Sequence, residues 1–235
     1  MKTIAFVDLL ASKDSALVGD KEFERAVTAF HKALVSNVGE LGNSSKLRFF
    51  ADCCYIECES ALGMISFFQV VRNNLFSRGY YFKASCSRGK LEDHDVGVAE
   101  VREGSALDIQ GFTFGHEVVE PYLNTEKFKG VGIFVSPSFR SQVEEEAGKD
   151  GLESLLVKSA FFPDERSIEL MEYLDIALDD YEKGSEFSYM GAIMASFEEA
   201  KILKKKYARY YFPLLLLWIN SSPVERTDVV VDNEK

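Results

Sequence analysis

Two short apolar runs, each closed by an aspartate, constrain the fold of this chain more than any other feature. The first run covers residues 3–7 and ends at Asp8, and the second covers residues 47–51 and ends at Asp52. Short runs of this kind are typical of buried strands. Carboxylates at the ends of neighbouring strands can share a divalent cation, although an aspartate after a strand also often caps a helix or lies in a hydrated loop.

The hydrophobic pattern of the first 136 residues alternates between strand and helix periods. The predicted strands cover residues 3–10, 46–51, 53–58, 80–87 and 131–136, and the predicted helices cover 20–38, 61–77 and 116–127. The second and third strands flank Asp52, which predicts a hairpin with this residue at or near its turn. This order predicts an α+β sandwich, in which a mostly antiparallel sheet carries helices on one face.

The pattern changes after residue 136, so we divide the chain into a domain at residues 1–136 and a C-terminal α/β extension at residues 137–235. Within the extension, we predict a short acidic helix over 138–148, a strand over 155–162 and a helix over 167–181. The extension is expected to pack on the first domain, where it would either lengthen the sheet or brace a dimer.

Composition and charge exclude several classes of function. The chain has 235 residues, 46% of them apolar, which is ordinary for a globular protein, and its net charge of −11 argues against broad nucleic-acid binding. A strand follows directly after Met1, so we expect no signal peptide, and no apolar run is long enough to span a membrane. We therefore expect a cytoplasmic protein. The four cysteines lack zinc-site spacing and are expected to be reduced, buried thiols.

Several motifs, in order, resemble the catalytic domain of the class III nucleotidyl cyclases, the adenylate and guanylate cyclases. They are Asp8 after the first strand, residues 48–55 around Asp52, the Arg-Gly strand at 87–91, the Phe-Gly turn at 114–122, and the strand at 132–136. The resemblance covers residues 2–136 and implies a ferredoxin-like βαββαβ sandwich. The details are similar to the short bacterial cyclases of the Pycsar anti-phage systems, which make cyclic CMP or cyclic UMP and thereby switch on a separate effector.

The resemblance also implies a set of site residues. Asp8 and Asp52 would be catalytic and, with Leu9, would bind two Mg²⁺ or Mn²⁺ ions. Residues predicted to bind the nucleotide are Leu10, Ala11, Ser12, Arg48, Arg88 and Phe112. The backbone after Asp8 could cradle phosphate oxygens or form an ordinary loop, and the two arginines could equally be solvated surface residues. The family further implies a homodimer with active sites at its interface.

The chain departs from the purine cyclase pattern at four positions. A lysine and an aspartate that read adenine fall on Arg48 and Phe112, and an asparagine and an arginine that hold ribose and phosphate fall on Val119 and Leu123. We therefore interpret the chain as a cyclase acting on a pyrimidine nucleoside triphosphate, UTP or CTP. The alternatives are an inactive cyclase-like nucleotide-binding or regulatory protein, and a ferredoxin-like interaction domain whose aspartates are loop residues.

Overall fold

The computed structural model describes residues 2–10, 19–94, 112–114, 116–127, 131–158 and 172–174, with the isolated positions 195 and 198. The strands are β1 (Thr3–Leu9), β2 (Lys46–Phe50), β3 (Cys53–Cys58), β4 (Phe82–Arg88), β5 (Glu92–His94), β6 (Phe112–Phe114), β7 (Gly132–Val135), β8 (Leu156–Lys158) and β9 (Glu172–Leu174). The helices are α1 (Asp20–Ser36), α2 (Ala61–Phe76), α3 (His116–Lys127) and α4 (Pro137–Leu155), with a short 3₁₀ turn at Val38–Leu41. Most predicted boundaries in the first domain hold to within two residues.

Seven strands form one sheet in the order β2-β3-β1-β4-β7-β9-β8, and β5 and β6 form a separate hairpin. The pairs β2–β3, β3–β1 and β1–β4 are antiparallel, whereas β4 and β7 are parallel. Helices α1 and α2 make the crossovers from β1 to β2 and from β3 to β4. The order β2-β3-β1-β4 with two helical crossovers is the ferredoxin-like arrangement, so the predicted fold class is confirmed.

The two faces of the sheet bury different helices, because successive strand residues point to opposite sides. On β1, Val7 and its alternate neighbours belong to the large core formed with α1, α2 and α4. Ile4 instead packs with Val118 of α3, and Phe6 contacts Tyr122 of the same helix. The prediction that all helices lie on one face was therefore wrong for α3. We call the side that carries Ile4, Phe6 and Asp8 the α3 face.

Large aromatic side chains fill the core on the opposite face. Phe30 of α1, Phe67 and Phe68 of α2, and Phe139 of α4 are fully buried. Burying a side chain of this size stabilises the fold by roughly 1.5–3 kcal/mol each. This core holds α1, α2 and α4 against one face of the sheet. The α3 face, on the other side, carries polar residues.

The N-terminus of α2 is capped by residues from two elements. The hydroxyl of Ser60 accepts a hydrogen bond from the Gly63 N–H at 3.0 Å. The Glu146 carboxylate, which comes from α4, accepts from the Ala61 N–H at 2.9 Å, the Leu62 N–H at 3.1 Å and the Ser60 hydroxyl at 2.7 Å. These donors have no partner within the helix, so a carboxylate placed there satisfies them and favours the helix dipole.

Replacement of Glu146 by glutamine is expected to lower the free energy of unfolding by about 1 kcal/mol near pH 7. Partial burial alone would raise the pKa of Glu146, but its hydrogen bonds with Ala61, Ser60 and Leu62 together lower that pKa below the usual 4.5. A lowered pKa gives stability that is present above the ordinary carboxyl pKa and is lost as the pH falls through the folded value. In urea titrations below about pH 4, the free energies of unfolding of Glu146→Gln and wild type should therefore differ less.

The matched control is Glu144→Gln, which removes an exposed carboxylate from the same helix. It should leave the unfolding midpoint close to wild type at both pH values. A Glu146→Gln variant as stable as this control would contradict the capping role.

Strands β8 and β9 continue the sheet beyond β7, and α4 connects β7 to β8. Helix α4 extends past the predicted 138–148 to Leu155, with a break at Gly148, whose φ is +74°. The predicted helix over 167–181 was wrong at Glu172–Leu174, which form β9. The reason is long-range pairing, since Tyr173 lies opposite Phe134 and satisfies the free edge of β7. Among the described residues, no helix combines the length and apolar character that crossing a bilayer requires.

Candidate active site

The structure brings Asp8 and Asp52 together at one end of the sheet. Asp8 lies near the end of β1, opposite Cys53 of β3 on one side and Lys83 of β4 on the other. Asp52 immediately precedes Cys53, in the turn of the β2–β3 hairpin, as the sequence predicted. The backbone links the two segments, because the Leu9 N–H donates to the carbonyl oxygen of Asp52 at 2.9 Å.

A strained two-residue turn presents Asp52. Phe50 pairs with Cys53, so only Ala51 and Asp52 connect the two strands. Ala51 has a φ of +50°, in the left-handed region where hairpin turns usually place glycine or asparagine. For a residue with a Cβ this conformation costs roughly 1–2 kcal/mol. The Cys53 thiol spans the turn and donates to the Phe50 carbonyl oxygen at 3.1 Å.

Lys83 is the residue of this site that the sequence reasoning missed. Its Nζ lies 3.1 Å from Asp8 Oδ2 and 3.7 Å from Glu126 Oε1, and its side chain is 10% exposed. The same ammonium donates to the Thr125 carbonyl oxygen at 3.2 Å. Lys83 of β4 is therefore also held in place by α3. A signal existed in the sequence, because a lysine in a strand whose other residues before Arg88 are uncharged must either reach solvent or find a buried anion.

Without a further cation, the surroundings of Asp8 disfavour the ionised form of its carboxyl group. Burial is the main cause that raises the pKa of Asp8, and the carboxylates of Asp52 and Glu126 raise it further, whereas Lys83 opposes the shift without cancelling it. Burial and the two aspartates also raise the pKa of the Cys53 thiol to about 12, so it is a neutral thiol at pH 7. One ammonium therefore compensates the carboxylates only in part.

The donor set fits a hard divalent cation that also keeps water or phosphate ligands. Among the described residues, no group of three or more histidine, cysteine, aspartate or glutamate side chains forms a metal cage. Mg²⁺ seldom uses such cages; one or two carboxylates commonly hold it, together with water and the phosphates of a nucleotide. Asp8 and Asp52 supply two carboxylates of the required kind, and a cation between them would relieve their repulsion.

The backbone after Asp8 is less open than the sequence suggested. The N–H of Leu9 is already bonded to the β2–β3 turn, and the N–H of Leu10 donates to the Tyr81 carbonyl oxygen at 2.9 Å. The phosphate cradle stays a prediction, and in this conformation both of these donors are already engaged by backbone carbonyl oxygens. If Leu9 binds the metal as predicted, its carbonyl oxygen must be the ligand atom, because its side chain is apolar and buried. Ala11 and Ser12 lie outside the described residues.

Arg48 lies on the α3 face, but not beside the aspartates. It is half-buried and pairs across the hairpin with Tyr55, which in turn lies opposite Phe6 of β1. Asp8 is two residues further along β1, in the next row on the same face. Arg48 on β2 therefore lies on the same face as Asp8 on β1, with β3 between them.

Arg88 lies at the opposite end of the sheet. It pairs with Thr3, whereas the site residue Lys83 pairs with Asp8, so the two basic residues are roughly 16 Å apart along β4. The Arg88 guanidinium also holds the carboxylate of Glu145 with contacts of 2.8 and 3.3 Å. The structure does not bring Arg88 together with the two aspartates, because its strand position and its ion pair direct it to α4.

The other predicted positions lie on β6 and α3. The backbone of Phe112 pairs with His94, and its side chain lies outside what the structure describes. Val119 and Leu123, which replace polar residues of the purine pattern, are 47% and 46% exposed on α3. Neither can donate a hydrogen bond from its side chain to a ribose or a phosphate.

An aromatic patch adjoins the aspartates on the α3 face. The ring of Phe6 lies 4.8 Å from that of Tyr55 and 5.4 Å from that of Tyr122, and Phe50 lies 6.0 Å from Tyr55. Phe50 is 49% exposed and Tyr122 is 42% exposed. Exposed rings next to carboxylates can stack on a planar base or bury themselves in a protein interface.

Comparison with known proteins identifies the fold. No protein-family model matches the sequence, and no curated protein matches it significantly. Many solved structures are similar, among them a bacterial light-regulated adenylyl cyclase with a TM-score of 0.51 and 11% identity, in an alignment that covers 92% of this chain and 97% of that one. Two further examples among them are guanylyl cyclases.

One is the catalytic core of a rhodopsin-guanylyl cyclase with converted specificity, bound to ATPαS, with a TM-score of 0.54, 10% identity, and coverage of 73% of this chain and 92% of that one. The other is a non-canonical dimeric guanylyl cyclase domain from the aquatic fungus Blastocladiella emersonii, with a TM-score of 0.52, 12% identity, and coverage of 73% and 91%. The order of the strands and the placement of α3 on the sheet agree with the likeness to these solved structures. This chain has the fold of the adenylyl and guanylyl cyclase catalytic domains.

Proposed function

We propose that this protein is a nucleotidyl cyclase that converts a nucleoside triphosphate into a 3′,5′-cyclic mononucleotide and pyrophosphate. The observation that carries the proposal is the pair Asp8 and Asp52, held at the ends of adjacent strands within a cyclase fold. In the reaction the ribose 3′-oxygen forms a bond to the α-phosphorus, the bond from the α-phosphorus to the oxygen that bridges to the β-phosphorus breaks, and the 3′-hydroxyl proton passes to solvent. Pyrophosphate is the leaving group.

The carboxylates of Asp8 and Asp52 would hold Mg²⁺ or Mn²⁺ at two positions. When bound, these cations would supply Lewis-acid activation of the 3′-hydroxyl and neutralise charge on the leaving pyrophosphate. The role of the protein is to present Asp8 on β1 and Asp52 in the adjoining β2–β3 turn, so that substrate binding requires little rearrangement. Lys83, which neutralises part of the charge of Asp8, would then be able to contact a phosphate oxygen.

We propose a pyrimidine nucleoside triphosphate, UTP or CTP, as the substrate. Support comes from the loss of the adenine-reading pattern at Arg48 and Phe112 and from the apolar side chains of Val119 and Leu123. The forked donors of Arg48 suit a carbonyl edge of a base, and the exposed rings beside it suit stacking. The solved neighbours are adenylyl and guanylyl cyclases, so a pyrimidine product would set this chain apart from them.

We also propose a homodimer with its active sites at the interface. Four large apolar side chains are exposed on or beside the α3 face, namely Phe50, Val119, Tyr122 and Leu123. Such a patch is more typical of an interface than of a free surface. One solved neighbour is described as dimeric. The cyclic nucleotide would act as a second messenger in anti-phage defence and would be read by a separate effector.

The second candidate is a cyclase-like protein that binds a nucleotide without turnover. Two observations favour it: Val119 and Leu123 cannot hold ribose or phosphate by hydrogen bonds, and the N–H groups of Leu9 and Leu10 are engaged. Both aspartates oppose it, because binding alone does not require two metal ligands at the ends of adjacent strands.

Incubation of the purified protein with ATP, GTP, CTP and UTP separately, each with Mn²⁺ or Mg²⁺, tests the proposal by mass spectrometry of the products. We expect one pyrimidine cyclic nucleotide with an equal amount of pyrophosphate, and no product after chelation with EDTA. A purine product would overturn the pyrimidine assignment only. Nucleotide binding with no product from any of the four substrates would support the second candidate.

A further inference from the structure

A histidine on α1 reaches across to the turn that carries Asp52. The Nε2 atom of His31 lies 2.7 Å from the carbonyl oxygen of Ala51. Because a carbonyl oxygen can only accept, this nitrogen must carry the hydrogen, and His31 is the donor. The ring also lies 4.6 Å from that of Phe49 on β2, which orients it toward the hairpin.

This contact acts at the strained position of the hairpin. Ala51, with its φ of +50°, immediately precedes Asp52 in the chain. A left-handed residue with a side chain persists only where its surroundings fix it. His31 holds the carbonyl of Ala51 on one side of the turn, and the N–H of Leu9 holds the carbonyl of Asp52 on the other. The backbone on both sides of the Asp52 side chain is thus fixed by a hydrogen bond from a different element.

We propose that His31 is a positioning residue, which fixes the Ala51 turn and so holds the Asp52 carboxylate in place for a divalent cation. The inference rests on the proposed function, since it concerns the same site. His31 itself contacts no reacting atom. Its effect passes through the turn, as for other residues that orient a metal ligand without binding the metal.

Two sets of variants separate the hydrogen bond from the packing. His31→Phe keeps an aromatic ring beside Phe49 without the donor, and His31→Leu removes the donor with a smaller side chain in case the first variant does not fold. His31→Gln keeps an N–H donor the same number of bonds from the backbone. Lys32→Ala, the exposed neighbour on α1, is the matched control.

The measurements are Mn²⁺ affinity by calorimetry on the metal-free protein, hydrogen exchange of the Leu9 amide, and steady-state kinetics. His31→Phe and His31→Leu should bind Mn²⁺ about 10-fold more weakly and lose protection at Leu9, with a lower kcat and little change in KM. His31→Gln should recover most of the Mn²⁺ affinity. Lys32→Ala should match wild type in all three measurements.

The outcomes distinguish this inference from the proposed function. Wild-type Mn²⁺ affinity and Leu9 protection in both donor-free variants would overturn the role of His31. If wild type binds Mn²⁺ but forms no cyclic product, and the donor-free variants still bind Mn²⁺ more weakly, the positioning role stands and the proposed activity fails. If wild type does not bind Mn²⁺, both are overturned.

Discussion

Replacement of Asp52 by asparagine is expected to reduce the rate of cyclic nucleotide formation on the order of 1000-fold. Asparagine keeps the size of the side chain and leaves the backbone hydrogen bond from Leu9 in place, so the turn should survive. What is lost is one of the two negative charges that hold the cations. Asp8→Asn should have an effect of the same order, because neither carboxylate alone can hold two metals.

The measurement is kcat under saturating Mn²⁺, combined with circular dichroism and thermal unfolding of each variant. Asp150→Asn, an exposed position on α4, is the matched control and should retain wild-type activity. Near-wild-type turnover in either Asp8→Asn or Asp52→Asn, with the fold intact, would rule out two-metal catalysis by this pair. If Asp52→Asn loses both its activity and its fold, the more conservative Asp52→Glu, which keeps the negative charge, is titrated with Mn²⁺ instead.

Within residues 1–136, the sequence predicted the three helices and five of the seven strands that the structure describes, because their boundaries depend on local signals. The short strands β5 and β6 were not predicted. The span of α1 follows from apolar residues at helical spacing that begin after Asp20. The hairpin around Asp52 follows from two short apolar runs with one polar position between them. Asp8 and Asp52 could be paired because both lie at strand ends, and neighbouring strands bring such ends together.

What the sequence did not predict depends on register and on contacts between distant segments. The periodicity of α3 gives its apolar stripe but not which face of the sheet receives it, so α3 was placed on the wrong side. Lys83 becomes part of the site only through its pairing with Asp8 across two antiparallel strands. Arg88 is held by Glu145, which is 57 residues away. Both arrangements follow from the folded topology rather than from any local pattern.

Replacement of Lys83 by methionine is expected to have the second largest effect, and the size of the stability loss depends on metal. In the metal-free protein the substitution leaves the partly buried Asp8 carboxylate without its ammonium, and we expect a loss of about 2 kcal/mol in the free energy of unfolding, less than for a fully buried pair. Mn²⁺ should restore more stability in this variant than in wild type, because the cation then replaces the missing charge. Activity should still fall about 100-fold, since the triphosphate loses a positive partner.

The pH dependence gives this prediction a second, independent test. Removal of Lys83 removes the main influence that lowers the pKa of Asp8, whose pKa burial already raises, so it should rise further. The extra cost of an ionised Asp8 in the variant sets in as the pH rises through the wild-type folded pKa of Asp8; therefore the destabilisation of Lys83→Met should be largest near neutral pH and shrink as Asp8 gains a proton. Lys149→Met, an exposed change on α4, should show neither the pH dependence nor the extra stabilisation by Mn²⁺. Equal Mn²⁺-induced shifts in thermal midpoint for wild type and Lys83→Met would mean that the cation does not bind beside Asp8, and the metal site would have to lie elsewhere.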